Sequence, residues 1–122
     1  KRLSGCGAGH EYIAVSPEGD IYPCHQFVGQ EEYKLGSVNS PDSGLRQDIV
    51  EEFRRANIYS KEECRSCWAR FLCSGGCHAA NAVYGGGLTK VYSLGCEFQK
   101  KRLEVACYLQ IKQVLNREKV LG

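Results

Sequence analysis

The sequence predicts a small cysteine-rich domain of the α+β class, with an N-terminal β-hairpin, metal-binding loops and a long C-terminal helix. Three observations predict it. Residues 11–24 (EYIAVSPEGDIYPC) set two apolar, aromatic or β-branched arms around a turn. Residues 97–119 carry apolar side chains at helical period. Between them, four of the eight cysteines fall within CRSCWARFLCSGGC, which opens at Cys64 and closes at Cys77.

In the hairpin, Tyr12, Ile13, Ala14 and Val15 fill the first arm, and Ile21 and Tyr22 the second. Pro17, Glu18, Gly19 and Asp20 supply the turn, with Gly19 the residue suited to positive φ. Folding the hairpin brings Cys6 and Cys24, near its two ends, together. Residues 33–38 (YKLGSV) add a third short strand, and NSPDSG then breaks the pattern. Residues 45–59 fit an amphipathic helix: Leu45, Ile49, Phe53 and Ala56 recur at helical spacing, with Arg46, Asp48, Glu51, Glu52 and Arg55 elsewhere on the wheel. Ser60 followed by Glu63 is a capping-box pattern, which predicts a helical turn entering the cysteine segment at residues 64–96. Ser74, Gly75 and Gly76 interrupt that turn. Residues 78–84 predict another short helix, stopped by Gly85, Gly86 and Gly87. In the last helix Phe98, Leu103, Val105, Cys107, Leu109, Ile111 and Val114 form a broad apolar stripe. No internal repeat divides the chain, so residues 1–122 read as one domain.

Composition narrows the function classes. A net charge of +2 with both signs interspersed leaves no nucleic-acid footprint. No apolar run approaches the ~20 residues that span a bilayer, and residues 1–9 are neither a secretory nor a transit segment. The chain opens on Lys1 rather than methionine, which raises the expectation that it continues a longer protein. No asparagine starts a glycosylation sequon, and the helical content exceeds that of a typical disulfide scaffold. In a reducing cytoplasm, clustered thiols more often bind metal. Structural zinc is the main competing expectation, because four-cysteine zinc sites also use CxxC pairs. A disulfide scaffold is the weaker one.

A [4Fe–4S] cubane takes four thiolates, often several from one short segment and one from elsewhere. Cys64, Cys67 and Cys73 are spaced to be a local three. Cys77 lies past the glycine break, on a stretch free to turn toward the hairpin thiols. That leaves Cys96, at the start of the last helix, to complete the first set where a helix N-terminus favours negative charge.

The full order, Cx12Gx4C, a gap, Cx2Cx5Cx3C, a second gap, then C, runs from Cys6 to Cys96. It resembles the seven-cysteine SPASM motif of radical S-adenosylmethionine enzymes. The resemblance implies two auxiliary [4Fe–4S] clusters. Cys6, Cys24 and Cys77 would hold cluster I; Cys64, Cys67, Cys73 and Cys96 would hold cluster II. Some members complete cluster I with a cysteine shortly before the first motif cysteine; Lys1, Arg2, Leu3, Ser4 and Gly5 include none, which is compatible with an open iron. More narrowly, CGAGHEYIAVSPEGDIYPCHQFVG and CRSCWARFLCSGGC resemble the maturases of SCIFF peptides. Those enzymes install thioether cross-links in short cysteine-rich precursors.

The resemblance thus implies two partners, a radical SAM catalytic domain of the same enzyme and a cysteine-rich precursor peptide. Cluster I would anchor a peptide cysteine and cluster II would relay electrons. S-adenosylmethionine would bind in the catalytic domain: its CxxxCxxC core would need a cysteine where this chain has Ala80, and no βα-repeat barrel is present. Residues 1–122 are accordingly expected to be the C-terminal auxiliary domain of a larger cytoplasmic enzyme, inactive alone, with zinc able to replace iron in aerobic preparations.

Other residues carry weaker signals. Cys107, outside the motif, is expected to pack in the core as a small hydrophobe. His10, His25 and His78 each stand near a presumed cluster I cysteine, and backbone pairing is the simpler expectation for them. Arg65, Trp68 and Arg70 lie among the cluster II cysteines, where they would either tune a metal site or merely cover surface. Lys100, Lys101 and Arg102 are expected to be a solvated face.

Overall fold

Strand pairing is short, and it is set by the glycine turn. In the computed structural model, which describes residues 3–121, β1 (Ala14–Val15) runs antiparallel to β2 (Asp20–Tyr22), with Ala14 opposite Tyr22 and Val15 opposite Ile21. Lys1, Arg2 and Gly122 of the predicted 1–122 range lie outside the described residues. β3 (Gly36–Ser37) pairs antiparallel with the other edge of β2, Asp20 opposite Ser37 and Ile21 opposite Gly36. It is shorter than the expected 33–38 because the chain first makes a 3-10 turn at Glu31–Tyr33. Gly19 sits at φ +90°, and its N–H donates to the Ser16 carbonyl at 2.9 Å. A Cβ there would stand 2.8 Å from Asn39 Nδ2 and 2.9 Å from Val38 Cγ2. Gly19→Ala is therefore expected to cost about 1–2 kcal/mol from the left-handed backbone alone, read as a lower midpoint of denaturant unfolding.

Helix α1 (Gln47–Arg55) turns Ile49, Val50 and Phe53 inward and its charged residues outward, narrower than the expected 45–59. Arg54 and Arg55 both pair with Glu51 on the outer face. The core gathers β2, the turn around Phe27, Leu35 and α1, so the sheet and helix close on each other as an α+β fold. Phe27, Phe53 and Tyr33 form its aromatic centre, with Phe27 edge-on to Phe53 at 5.2 Å between ring centres.

After α1 the chain makes α2 (Glu62–Arg65), α3 (Arg70–Cys73), α4 (His78–Ala80) and a π-turn at Asn81–Gly85. Ser60 does not cap α2 as the capping-box pattern predicts. Its hydroxyl donates to the Asn57 carbonyl and accepts the Asn57 N–H, which ties up the loop behind α1 instead.

Helix α5 (Ser93–Leu121) begins before the predicted residue 97. The reason is a side chain from outside the helix: Asn81 Oδ1 accepts the Tyr92 N–H at 3.0 Å, satisfying a donor that a helix start leaves unpaired. The Cys96 N–H then donates to the Tyr92 carbonyl, so Cys96 lies within the first turn rather than before it. At 1.5 Å per residue such a helix extends roughly 44 Å, beyond the ~30 Å width of a small domain. Its outer part overruns the core accordingly. Val105, Cys107, Tyr108, Leu109, Ile111 and Val114 are all exposed, so the expected burial of Cys107 in the apolar stripe is not what the fold gives. Among the described residues no helix is long and apolar enough to cross a membrane.

Candidate metal centres

Three separate segments carry Cys6, Cys24 and Cys77 to one cavity of about 510 Å³. The loop holding Cys6 is tied to the end of β2, since the Gly9 N–H bonds the carbonyls of both Tyr12 and Pro23, at 3.1 and 3.0 Å. Pro23 immediately precedes Cys24, whose own carbonyl accepts the Phe27 N–H at 3.0 Å. Cys77 arrives by a reversal: Ser74, Gly75 and Gly76 stand at φ +59°, +88° and +76° in succession, and the chain leaves α3 in a new direction. Two of those three positions are glycine, the residue for which this conformation is least costly.

The wall of this first cavity also includes Tyr12, His25 and Gln26. Gln26 Nε2 lies 3.6 Å from Cys77 Sγ. The Tyr12 phenol is pushed up to about 12, first by desolvation of its hydroxyl and then by a hydrogen bond to Cys6 and the charges of Cys6, Cys24 and Cys77. Burial pushes the Cys24 thiol up.

Cys64, Cys67, Cys73 and Cys96 line a second cavity of about 440 Å³, with Trp68, Arg70 and Lys100. Here α2 supplies Cys64, the Cys67 N–H bonds the Cys64 carbonyl at 3.2 Å, and α3 ends on Cys73. Cys96 comes from the first turn of α5. Burial raises the Cys64 and Cys96 thiols, and the charges of the other thiols in the group add to it. The two cavities share a wall in which Cys73, Cys96 and Gly75 face both. Cys6, Cys24 and Cys77 line the first cavity alone, Cys64 and Cys67 the second alone, and Cys73 and Cys96 stand in the wall between them.

Among the described residues, no three His, Cys, Asp or Glu side chains converge tightly enough to hold a single ion. A polynuclear cluster asks its ligands to stand further apart, around an inorganic core. Among the described residues two buried polar atoms lack a hydrogen-bond partner, Arg70 Nε at the second cavity and His78 Nδ1 at the first. Arg70 Nε is a donor, whereas His78 Nδ1 is the unprotonated ring nitrogen, because Ser4 Oγ donates to the Cys6 carbonyl and therefore accepts from His78 Nε2. An unpaired buried N–H is costly.

The remaining candidates separate by position. His10 Nδ1 stands 3.2 Å from the Ala8 carbonyl, the backbone pairing expected of it. His25 is exposed at the rim of the first cavity. His78 is not a loop histidine: it is 1% exposed, edge-on to Phe53 at 5.6 Å, with Nε2 3.1 Å from Ser4 Oγ. Burial first, then the charge of Lys61, lowers it to about 4, so the imidazole is neutral near pH 7. Arg65 Nε donates to the Tyr59 carbonyl, away from the thiols, while Arg70 Nη1 donates to the Cys67 carbonyl. Trp68, 55% exposed, forms part of the wall of the second cavity. Lys100 pairs with Glu97 at 3.1 Å, and its charge also reaches Cys67 and Cys96, so it is more than a solvated face. Sequence reasoning missed Tyr12, Lys61 and Asn81 as neighbours of the thiols. Nothing sets Lys61 apart among 16 lysines and arginines.

Comparison with known proteins gives the same direction. The family named SPASM, an iron–sulfur cluster-binding domain, matches residues 6–68. An uncharacterized protein of Archaeoglobus fulgidus is 33% identical over 122 residues, covering 97% of this chain and 29% of its own length. The mycofactocin maturase MftC of Mycolicibacterium smegmatis is 32% identical over 88 residues, 68% of this chain and 21% of that protein. The Mycobacterium tuberculosis protein of the same name is 33% identical over 88 residues, 68% of this chain and 22% of its length. The chain spans less than a third of each of these relatives.

Proposed function

The chain belongs to the SPASM family of iron–sulfur cluster-binding domains, and on that premise we propose that it holds two auxiliary [4Fe–4S] clusters in a radical SAM peptide maturase. Cys6, Cys24 and Cys77 hold cluster I, and Cys64, Cys67, Cys73 and Cys96 hold cluster II. The observation that supports this reading is that all seven thiols line two adjoining cavities, with Cys6, Cys24 and Cys77 on the first alone and Cys64 and Cys67 on the second alone. Two features of the chain fit the groups: a soft, all-thiol donor set, and a buried, unpaired N–H, Arg70 Nε, on a residue that lines the second cavity. The rival reading is structural zinc in the same thiols, and the metal counts below separate the two.

When bound, the clusters supply one-electron transfer and, at an iron without a protein thiolate, a Lewis-acidic site for a substrate thiolate. The chain's own residues then divide the work. Three thiolates at the first cavity leave one ligand position to a peptide cysteine, and Tyr12, His25 and Gln26 line the approach to it. Fixing that sulfur beside the reacting carbon is a proximity effect. Four thiolates at the second cavity leave no such position, so this site relays electrons. His78 stays neutral against the first site and adds no charge to it. The exposed apolar residues of α5, Phe98 and Val105 among them, support a covering surface on a radical SAM catalytic domain, where S-adenosylmethionine binds. The substrate is a cysteine-rich precursor peptide, and the product a thioether; the SCIFF-like segments around Cys6 and Cys64 support that chemistry. The enzyme works in the cytoplasm, and this chain alone generates no radical.

Anaerobic reconstitution tests the reading, with iron and sulfide counted per chain and Mössbauer spectra recorded. About eight irons per chain are expected for two cubanes, with one subsite altered by an added cysteine-containing peptide. Four irons or fewer, or zinc that iron does not displace, would overturn it.

A further inference from the structure

Lys61 is fully buried, at 0% exposed, and its Nζ donates to the Gly75 carbonyl at 2.8 Å. Among the described residues it forms no ion pair with a carboxylate. A buried ammonium without an anion is costly, and such charges persist where something repays the desolvation. Burial pulls the Lys61 ammonium down, and the neighbouring thiols, Cys64, Cys73 and Cys96 of one centre and Cys6 of the other, push it back up. Its anchor, Gly75, lies in the wall common to the two cavities. The fit is close on both sides, since a Cβ on Gly75 would come within 3.1 Å of Nζ.

We propose that Lys61 is an internal counter-ion shared by the two metal centres, a positioning residue whose fixed positive charge raises their reduction potentials. This rests on the two-cluster reading. Each one-electron reduction adds one negative charge to a thiolate-bound cluster already net negative. A cation held in a low-dielectric wall stabilises the reduced form more than the oxidised one. The wall between the centres thereby favours electron entry at both.

A purely structural role is the rival, because Nζ also pins the Gly75 loop. Lys61→Arg separates the two, because it keeps the charge while altering the fit against Gly75. The test is an EPR-monitored redox titration of the reconstituted chain, comparing wild type, Lys61→Gln and Lys61→Arg. Lys61→Gln is expected to retain its iron and to lower the reduced-to-oxidised ratio tenfold at the wild-type midpoint, about 59 mV for a one-electron couple. Lys61→Arg is expected to keep the wild-type midpoint. An unshifted midpoint in iron-loaded Lys61→Gln, or an equal shift in Lys61→Arg, overturns the proposal. If Lys61→Gln takes up no iron, Lys61→Arg decides: loading restored by the retained charge supports the counter-ion, and loading lost in both overturns it. Wild type that takes up fewer than two clusters sinks the two-cluster reading itself, whereas loaded wild type with an indifferent Lys61→Gln sinks only the role of Lys61.

Discussion

Replacing Cys6 with alanine is expected to halve the iron bound per chain, from about eight to about four. Cys67→Ala leaves three thiolates at the second site, the number that holds cluster I, and is expected to keep both clusters. Both thiols are half-buried, so removing them costs less packing than removing Cys24 or Cys64, which are buried. Each also lines one cavity only, unlike Cys73 and Cys96 in the shared wall. A three-thiolate site reduced to two loses the donors that hold iron against hydrolysis. The other site keeps its full set. Cys107→Ala, on the exposed flank of α5, is expected to leave the iron count unchanged. Iron and sulfide analysis of the reconstituted variants reads the outcome. Loss of all iron in Cys67→Ala and none in Cys6→Ala would contradict a division into three and four.

The local pattern made much of this fold legible. Gly19 in a polar turn between apolar arms located the hairpin, and Ile49, Phe53 and Ala56 located the buried face of α1. The motif cysteines were legible because thiols are rare and their spacing is fixed by backbone geometry over a few residues. What stayed hidden depends on long-range contacts. The start of α5 is set by Asn81, whose side chain reaches Tyr92 across eleven positions, and no local signal encodes that. The burial of Lys61 is set by a carbonyl fourteen residues away. Cys107 was misjudged for a related reason. Periodicity shows that a helix has an apolar stripe but does not say whether the chain in hand supplies the surface that covers it.

Phe53→Ala is expected to destabilise the metal-free chain by about 3–5 kcal/mol, the range for emptying a buried aromatic site. That is a large share of the 5–15 kcal/mol that holds a typical domain together. Phe53 is 0% exposed, and its ring meets Phe27 at 5.2 Å, Tyr33 at 6.0 Å and His78 at 5.6 Å. Gly9 passes so close that a Cβ there would lie 3.0 Å from the ring. These neighbours share a position in the chain as well as in space: Gly9 follows Cys6, Phe27 follows Cys24, and His78 adjoins Cys77. Phe53 therefore packs behind the segments that carry the three thiols. The variant is expected to lower the denaturant midpoint steeply and to lose iron from the first centre before the second. Phe53→Leu, which keeps most of the volume, should lose less of both. Equal iron loss from the two centres in Phe53→Leu would mean that the core supports them as one unit rather than bracing the hairpin thiols in particular.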